Sequence, residues 1–514
     1  MSHKPNTPDS GIRNDWLLIG LVLALFLALQ LMPLSRVTIA QYDESIFLDI
    51  ARNIHDTGLP LRSLGPEGKL ELDQTPLYLY LLSGLTLLLG ENLFLLRLVT
   101  LAAALACIAL VYVIGRRVGG RAAGLVAAVL LAVNPFFNLY SFFLRMEVFT
   151  NLALLLAIYW LAEDMARPTT RRAAGAGLAM MTAVLLKVVA VTFWMAALPW
   201  ALWRLWRDAK RWRKWAWLAV PTLAGVALWM LAAWLDPDRV ASAGRWGAAL
   251  GLGGNAVDAR LNVQLRGWLG AIARSVLGWE TVALLAVALL AYVLRWRKQH
   301  PVAHLLVLYI GLTFGLSLFV QLKETRHLFG IIPAVTLLIG LALPWGEWAE
   351  RLRRRPAAAI AGGAGALVLL WALSPLRLPA AAEWRQAEMW WSPVVRGRYF
   401  YNDDQLAALR DAGLYLAANA PEDAFILIAR QGPIVGYYAD RNYTFLYTGD
   451  FTRNMALLGD GEFLVMDPPV DYWAQTPAET EALQGYIAEN YTAVKTFNSG
   501  ANVVTLYRRD PAIP

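Results

Sequence analysis

Two acidic residues, Asp43 and Glu44, follow the first long apolar segment of the chain. Carboxylates in the first turn of a helix complement its dipole, and a carboxylate can also take the proton of a reacting hydroxyl. The pair is therefore either a feature that stabilises a helix or a candidate base. The apolar residues behind it recur at helical spacing, which predicts a helix lying on the membrane surface with one buried face. These residues are Ile46, Phe47, Ile50, Ala51 and Ile54.

A further acidic residue, Glu147, stands close to Arg145 in a short connection between two apolar segments. Charges at a membrane edge are costly unless they are paired or functional. The two side chains therefore form a local ion pair, extend to the interface, or belong to a site.

Basic residues recur at the same predicted face of the membrane. Lys187 lies at the tip of a predicted hairpin, and Lys323, Arg326 and His327 lie at a later helix boundary. Cationic side chains hold phosphate groups, and a carboxylate can deprotonate an incoming hydroxyl. An outer cavity that contains both kinds of group would suit a transfer reaction on an anionic lipid.

The composition predicts a membrane-embedded helical bundle with one polar domain attached. Hydrophobic residues make up 58% of the 514 residues and charged residues 16%, whereas a soluble domain has roughly 25% charged residues. The net charge of +8 does not indicate nucleic-acid binding, because the basic residues lie between apolar segments, as in cytoplasmic loops. The single cysteine, Cys107, excludes an internal disulfide and a cysteine-rich metal site.

Apolar runs of about 17–25 residues predict eleven transmembrane helices. Basic clusters follow alternate runs, which places the N-terminus inside and the C-terminus outside. Residues 77–90 are apolar but short, and counting them as a span would break this alternation, so they are predicted to form a juxtamembrane or re-entrant helix. The first run is too long for a signal peptide. The predicted spans are residues 15–34, 93–115, 120–138, 147–163, 173–187, 190–206, 214–235, 276–295, 301–320, 327–345 and 356–374.

The composition becomes polar after the last predicted span. Residues 405–419 and 479–490 have helical periodicity, and short strand-like runs occupy residues 424–429, 433–439, 462–466 and 503–508. The chain is therefore predicted to have a multi-span catalytic domain, residues 1–374 with a first outer loop at 35–92, and an extracytoplasmic α/β domain, residues 375–514.

An ordered series of short motifs resembles the GT-C glycosyltransferases of the protein mannosyltransferase and aminoarabinose transferase type. The resemblance covers most of residues 15–345. The motifs are Asp43–Glu44, the stretch from Gly58 to Pro60, Thr75–Pro76–Leu77, Leu96–Arg97–Leu98, Gly115–Arg116–Arg117, Asn134–Pro135, Arg145–Met146–Glu147, Leu185–Leu186–Lys187, and Lys323 to His327.

The resemblance implies an α-helical GT-C membrane enzyme. Such an enzyme moves a sugar from a polyprenyl-phosphate carrier to a protein, lipid or glycan acceptor at the outer face of the plasma membrane, usually with inversion. It implies that Asp43 is the base, Glu44 its assistant and Glu147 a second acid. It also implies donor-phosphate contacts and substrate-lining positions. The phosphate contacts are Lys187, Lys323, Arg326 and Arg145, and the lining positions are Tyr42, Asp73, Gln74 and His327.

Three departures from the family pattern stand in the sequence. The stretch from Asp73 to Pro76 has no cation before its proline, the second acid is Glu rather than Asp, and His327 replaces a common Tyr. The first departure puts a phosphate contact from that loop in doubt.

No cofactor is required by this chemistry. The leaving phosphate is already anionic and needs positive charge around it, and inversion needs one base opposite the leaving group. A divalent cation is left open, with Asp43, Glu44 and Glu147 as oxygen ligands. Two other classes compete with a glycosyltransferase: a transporter or flippase, which also buries charges in a multi-span bundle, and a membrane scaffold whose outer domain binds a partner.

Overall fold

The computed structural model forms two compact units. The first, here the helical unit, comprises Met1–Leu34, Asp73–Tyr78 and Arg97–Gly397, and the second, here the sheet unit, comprises Ser35–Leu72, Leu79–Leu96 and Arg398–Pro514. The structure describes residues 9–34, 39, 42–66, 68–71, 75–207, 212–235, 272–319, 325–345, 348, 403–429, 432–446, 450–466, 476–499 and 502–510. The last predicted span, 356–374, and the predicted domain boundary at residue 374 lie outside these ranges.

Seventeen α-helices and seven strands are present in the described residues. The helices are α1 Asp9–Leu34, α2 Tyr42–Thr57, α3 Leu77–Leu89, α4 Leu93–Gly119, α5 Arg121–Val133, α6 Pro135–Tyr140, α7 Met146–Ala166, α8 Thr170–Leu186, α9 Val191–Arg207, α10 Trp212–Leu235, α11 Trp279–Leu294, α12 Pro301–Phe319, α13 Ile331–Ala342, α14 Asp403–Asn419, α15 Gly432–Ala439, α16 Phe451–Asp460 and α17 Pro477–Asn490. The strands are β1 Leu61–Arg62, β2 Lys69–Leu70, β3 Ile426–Ile428, β4 Tyr443–Phe445, β5 Phe463–Met466, β6 Tyr491–Ser499 and β7 Asn502–Arg509.

Each of the first ten predicted spans coincides with one of these helices, the third with α5 and α6 together. Three helices in the described part of the chain are long and apolar enough to cross a membrane: Leu93–Gly119, Met146–Ala166 and Pro301–Leu318. Apolar helical stretches of 10–17 residues occur at seven more places there. The helical character of the spans is therefore confirmed, while the number of eleven crossings stays a prediction.

Small residues let helices of the helical unit approach closely. A Cβ on Gly115 of α4 would lie 2.7 Å from the Cα of Gly124 of α5, so the two backbones touch where side chains are missing. Near the C-terminal end of α4, the Arg117 side chain donates a hydrogen bond of 2.8 Å to the buried carboxylate of Glu163. This ion pair joins α4 to α7.

Buried amides fix the connection that leads into α7. Asn134 caps α6 by accepting from the backbone N–H of Phe137 at 2.8 Å and donates to the carbonyl of Val276 at 2.9 Å. Gln30 of α1 donates to the side chain of Asn138 at 2.8 Å. Because buried amides are costly unless they are hydrogen-bonded, these contacts hold the segment before Arg145 in one conformation.

The sheet unit contains a five-stranded mixed sheet with the order β4-β3-β5-β7-β6. Strand β3 pairs in parallel with β4 and β5, and β7 pairs antiparallel with β5 and β6. Its core is formed by apolar side chains of the strands and of α16 and α17, including Leu427, Leu464, Leu458, Leu483 and Ile487. The predicted α/β architecture, both predicted helices and the predicted strands at 424–429, 462–466 and 503–508 are confirmed.

The strand predicted at residues 433–439 is wrong, because this segment forms helix α15. Gly432 and Gly436 lie one helical turn apart and face the rings of Phe445 and Tyr443 on β4. A short apolar run buried on all sides has no visible period, so the requirement for two closely packed glycines decides the conformation.

Residues of the first outer loop extend this sheet beyond β4. Leu64 forms a parallel bridge with Tyr443. The Tyr443 backbone N–H donates to the Ser63 carbonyl at 2.9 Å, and the Gly65 N–H donates to the Tyr443 carbonyl at 2.8 Å. The helix predicted after Tyr42 is confirmed as α2, and its apolar residues are buried. Of this loop, Ser35–Leu72 and the part from Leu79 onward group with the C-terminal sheet, whereas Asp73–Tyr78 groups with the helical unit. The sequence assigned the whole loop to the membrane domain.

Replacing Gly436 by alanine is expected to weaken the packing of α15 on β4. The new Cβ would overlap the Tyr443 ring, and overpacking costs about 1–3 kcal/mol. Hydrogen exchange of β3 and β4 in the full-length protein measures this loss. Gly485→Ala is the control, since its Cβ meets open space in α17, and it should stabilise its helix by about 0.5–1 kcal/mol. Equal protection in both variants would contradict the close packing.

Candidate active site

The carboxylate of Glu147 lies in the first turn of α7 and is bound by Arg145, the residue that caps this helix. Arg145 Nε donates to Glu147 Oε2 at 3.1 Å, and Nη2 donates to Oε1 at 3.0 Å. This bidentate geometry is the strong form of an arginine–carboxylate pair. The guanidinium also lies 5.5 Å from the centre of the Tyr140 ring. The ion pair considered from the sequence is therefore present.

Lys187 binds the same carboxylate from another helix. The chain leaves its helical conformation at Lys187, between α8 and a short turn at Val188–Ala190, as the predicted hairpin requires. Its Nζ donates to Glu147 Oε1 at 2.7 Å. Only 1% of the Glu147 side chain and 14% of the Lys187 side chain are exposed, so water screens the interaction weakly.

Among the described residues, this cluster brings several cationic side chains to one carboxylate and its pocket. One carboxylate, Glu147, faces two cations, Arg145 and Lys187, and Arg326 lines the same pocket. Opposite charge within the protein offsets only part of the desolvation of buried ions. An anion entering the pocket would meet these cationic side chains in a weakly screened environment.

A pocket that is partly open to solvent lies beside these charges. Thr150 and Asn151 follow Glu147 by one turn of α7 and line it, together with Tyr309 of α12 and His327. The buried Oδ1 of Asn151 has no hydrogen-bond partner in the described structure. The apolar lining residues are Leu154, Val189, Ala190 and Phe329. The sequence reasoning missed Thr150, Asn151 and Tyr309, although the helical spacing from Glu147 was a usable signal for the first two.

Several predicted site residues cannot be placed in this pocket. Lys323, Asp73 and Gln74 lie outside the described residues, as does the side chain of Tyr42. Asp43 and Glu44 belong to the sheet unit, where Asp43 is partly exposed and Glu44 is buried. Of the predicted set, the pocket is therefore lined by Glu147, Lys187, Arg326 and His327, and Arg145 joins them through its ion pair with Glu147.

A third carboxylate of α2, Asp49, supports the loop. It accepts from the Ser63 backbone N–H at 2.9 Å and from the Ser63 hydroxyl at 2.6 Å. Burial raises the pKa of Asp49, and the bonds from Ser63 and the charges of Arg62 and Arg52 offset part of that rise. Its two bonds tie α2 to the segment that extends the sheet.

The last turns of α2 are bound through Arg52. Its Nε donates to Glu91 Oε1 at 2.8 Å and its Nη2 donates to Oε2 at 2.6 Å. Tyr437 of α15 also donates to Glu91, at 2.7 Å. Burial alone would raise the pKa of Glu91, but the hydrogen bonds from Arg52 and Tyr437 outweigh burial and lower it. Glu91 is therefore ionised at neutral pH.

Among the described residues, no group of three or more His, Cys, Asp or Glu side chains is placed to hold a metal ion. The oxygen atoms of Glu147 already accept from Arg145 and Lys187. The divalent cation considered from the sequence stays a prediction.

Comparisons with known proteins agree with this architecture. Residues 73–235 match the family model described as dolichyl-phosphate-mannose-protein mannosyltransferase. No curated protein matches the sequence. The structure is similar to ArnT from Cupriavidus metallidurans bound to undecaprenyl phosphate, with 14% identity, a TM-score of 0.60, and 96% of this chain and 98% of that chain covered.

Two further solved structures share the fold. The apo Archaeoglobus fulgidus oligosaccharyltransferase has 14% identity and a TM-score of 0.60, with 91% of this chain and 72% of that chain covered. The arabinofuranosyltransferase AftD from Mycobacteria has 16% identity and a TM-score of 0.55, with 96% and 40% covered. These matches confirm the GT-C resemblance and, with the apolar helices, indicate a multi-pass membrane protein.

The ion pairs of Glu147 predict an order of stability. Glu147→Gln leaves two buried cations without their counter-charge, which costs about 3–5 kcal/mol. Lys187→Gln leaves the Arg145 pair intact and should cost less. Denaturation of the purified protein in detergent measures the order, and the double variant should be more stable than Glu147→Gln alone. A Lys187→Gln variant less stable than Glu147→Gln would contradict this account.

The lowered pKa of Glu91 predicts loss of stability in acid. Its folded pKa lies below the unfolded value, so its contribution is present above the unfolded pKa and is lost as the pH falls through the folded pKa. The charged and titratable groups around it are Arg52, His55, Tyr437 and Asp440. The unfolding temperature should fall more steeply below about pH 5 in the wild type than in Glu91→Gln, because an unfolded Glu titrates at about 4.3. Parallel curves would show that Glu91 does not contribute.

Proposed function

We propose that this chain, which has the GT-C glycosyltransferase fold, transfers a sugar from a polyprenyl-phosphate carrier to an acceptor at the outer face of the plasma membrane. The observation that supports this most is the group of cations at one pocket, where Arg145 and Lys187 bind Glu147 and Arg326 is among the lining residues. A polyprenyl phosphate has an anionic head on an apolar chain, and the pocket offers both cations and apolar walls.

In this proposal Glu147 anchors the phosphate-binding cations. Both of its oxygens accept from Arg145, and Oε1 also accepts from Lys187, so the carboxylate is poorly placed to take a proton. Lys187 and Arg326 bind the donor phosphate, and Lys323 joins them. They stabilise the negative charge that develops on the phosphate as it leaves. His327, Asp73, Gln74 and Tyr42 line the substrate.

Asp43 is the proposed base, and Glu44 assists it. The acceptor oxygen attacks the anomeric carbon from the face opposite the phosphate. The bond from carbon to phosphate oxygen breaks, the polyprenyl phosphate keeps the bonding electrons, and Asp43 takes the acceptor proton. The product is the inverted glycoside. Asp43 stands in the first turn of α2 and is partly exposed, as contact with an acceptor requires.

The relatives support the choice of donor. The similar ArnT structure contains undecaprenyl phosphate, and a similar structure of the archaeal oligosaccharyltransferase AglB contains a dolichol-phosphate and an inhibitory peptide. We extend the carrier class, polyprenyl phosphate, to this chain and leave the sugar and the acceptor unnamed.

Binding of undecaprenyl phosphate to the purified protein tests the donor site. Lys187→Gln and Arg326→Gln should each weaken binding by about tenfold or more, because each removes a charge-assisted hydrogen bond. Arg410→Gln is the matched control, since Arg410 pairs with its neighbour Asp411 on α14 and should bind like the wild type. Equal binding by all variants would overturn the assignment.

Mass analysis of the glycans in a deletion strain tests the reaction. The strain should lose one glycan modification, which the wild-type gene restores and Asp43→Asn does not. Full restoration by a folded Asp43→Asn variant would exclude Asp43 as the base. An unchanged glycan profile, together with movement of labelled lipid across vesicles containing the protein, would favour a flippase.

A further inference from the structure

We propose that the C-terminal sheet domain positions helix α2, and with it the Asp43–Glu44 pair, through a latch made of Arg52, Glu91, Tyr437 and Asp440. Ser35–Leu72, Leu79–Leu96 and Arg398–Pro514 are distant in sequence but form one compact unit. The contacts of the latch do not depend on the proposed function. Only its effect on sugar transfer rests on that proposal, in which Asp43 is the base.

One side of the latch is contributed by α15 of the sheet domain. Arg52 Nη1 donates to Asp440 Oδ1 at 2.7 Å and to the Tyr437 carbonyl at 3.2 Å. The guanidinium carbon lies 4.7 Å from the centre of the Tyr437 ring, within range of a cation–π interaction. With the bidentate pair to Glu91, every nitrogen of Arg52 is bound, so the side chain has one arrangement.

Asp440 has a backbone conformation that favours glycine, which indicates that its carboxylate contributes an interaction. Asp440 follows the end of α15 with a φ of 52°, a left-handed conformation that glycine adopts without cost. Its backbone N–H donates to the Gly436 carbonyl at 2.9 Å and closes the helix. A glycine would close this helix more cheaply, whereas only the aspartate supplies the oxygen that Arg52 binds.

A second set of contacts holds the same helix from the loop side. Asn53 donates to the Leu61 carbonyl at 3.0 Å and to the Ser63 hydroxyl at 3.1 Å. Asp49 accepts from Ser63, and the Ser63 carbonyl accepts from Tyr443 of β4. Helix α2 is thus tied to the sheet domain through Arg52 and through the strand-like segment beside β4.

The latch acts at a distance from the acidic pair. Nine residues separate Asp43 from Arg52, which corresponds to about 13 Å along a helix. A helix tilts as a rigid element, so release at Arg52 displaces the carboxylates at its start. Misplacement of a reacting group by about 1 Å can cost about 100-fold in rate. Arg52 is therefore a positioning residue rather than a catalytic one.

Asp440→Gly and Arg52→Gln in the full-length protein test the latch. Asp440→Gly removes the carboxylate while it relieves the left-handed backbone, so the domain stays folded and its unfolding temperature does not fall. Both variants should raise hydrogen exchange of α2 and lower sugar transfer by about tenfold. Binding of undecaprenyl phosphate should stay within about twofold of the wild type, because the cation cluster is unchanged. Arg410→Gln is the control for loss of an arginine from the same domain.

Exchange of α2 equal to the wild type in both variants would overturn the latch. Raised exchange with unchanged transfer would overturn its role in positioning. The exchange measurement needs no substrate. If the wild type shows no transfer, the proposed function fails, and the exchange of α2 alone then decides whether the latch exists.

Discussion

The buried carboxylate of Glu147 constrains the arrangement of the helical unit. A charge removed from water must be balanced nearby, and here the balance comes from Arg145 before α7 and Lys187 after α8. Helices α7 and α8 must therefore lie in contact near Glu147. Because α8 ends at Lys187, the lysine side chain can reach the carboxylate. The same contact places both cations beside the pocket, where we propose that the donor phosphate binds.

The sequence predicts those parts of the fold that depend on local pattern. Apolar run length located ten helices, and helical spacing identified the buried face of α2 and the helices α14 and α17. It could not distinguish strand from helix at residues 433–439, where Gly436 packs against the ring of Tyr443 on the next strand. Nor could it show that Arg52 meets Asp440, since that contact joins positions 388 residues apart.

The same distinction holds for the candidate site. Residue type and membrane side pointed to Arg145, Glu147, Lys187 and Arg326, because charge next to an apolar segment is conspicuous. Neutral lining residues such as Tyr309 carry no such signal, since a tyrosine in an apolar helix is ordinarily a packing residue. The role of Glu147 also changed: the sequence suggested a second acid, whereas its hydrogen bonds fit an anchor for cations.

A structure of the protein with undecaprenyl phosphate tests the central claim most directly, namely that the cations held by Glu147 form the donor-phosphate site. The account predicts phosphate oxygens within hydrogen-bond distance of Lys187 Nζ and the Arg326 guanidinium, with the Glu147 pairs intact. A phosphate bound away from both side chains, with the pocket beside Glu147 left empty, would contradict it.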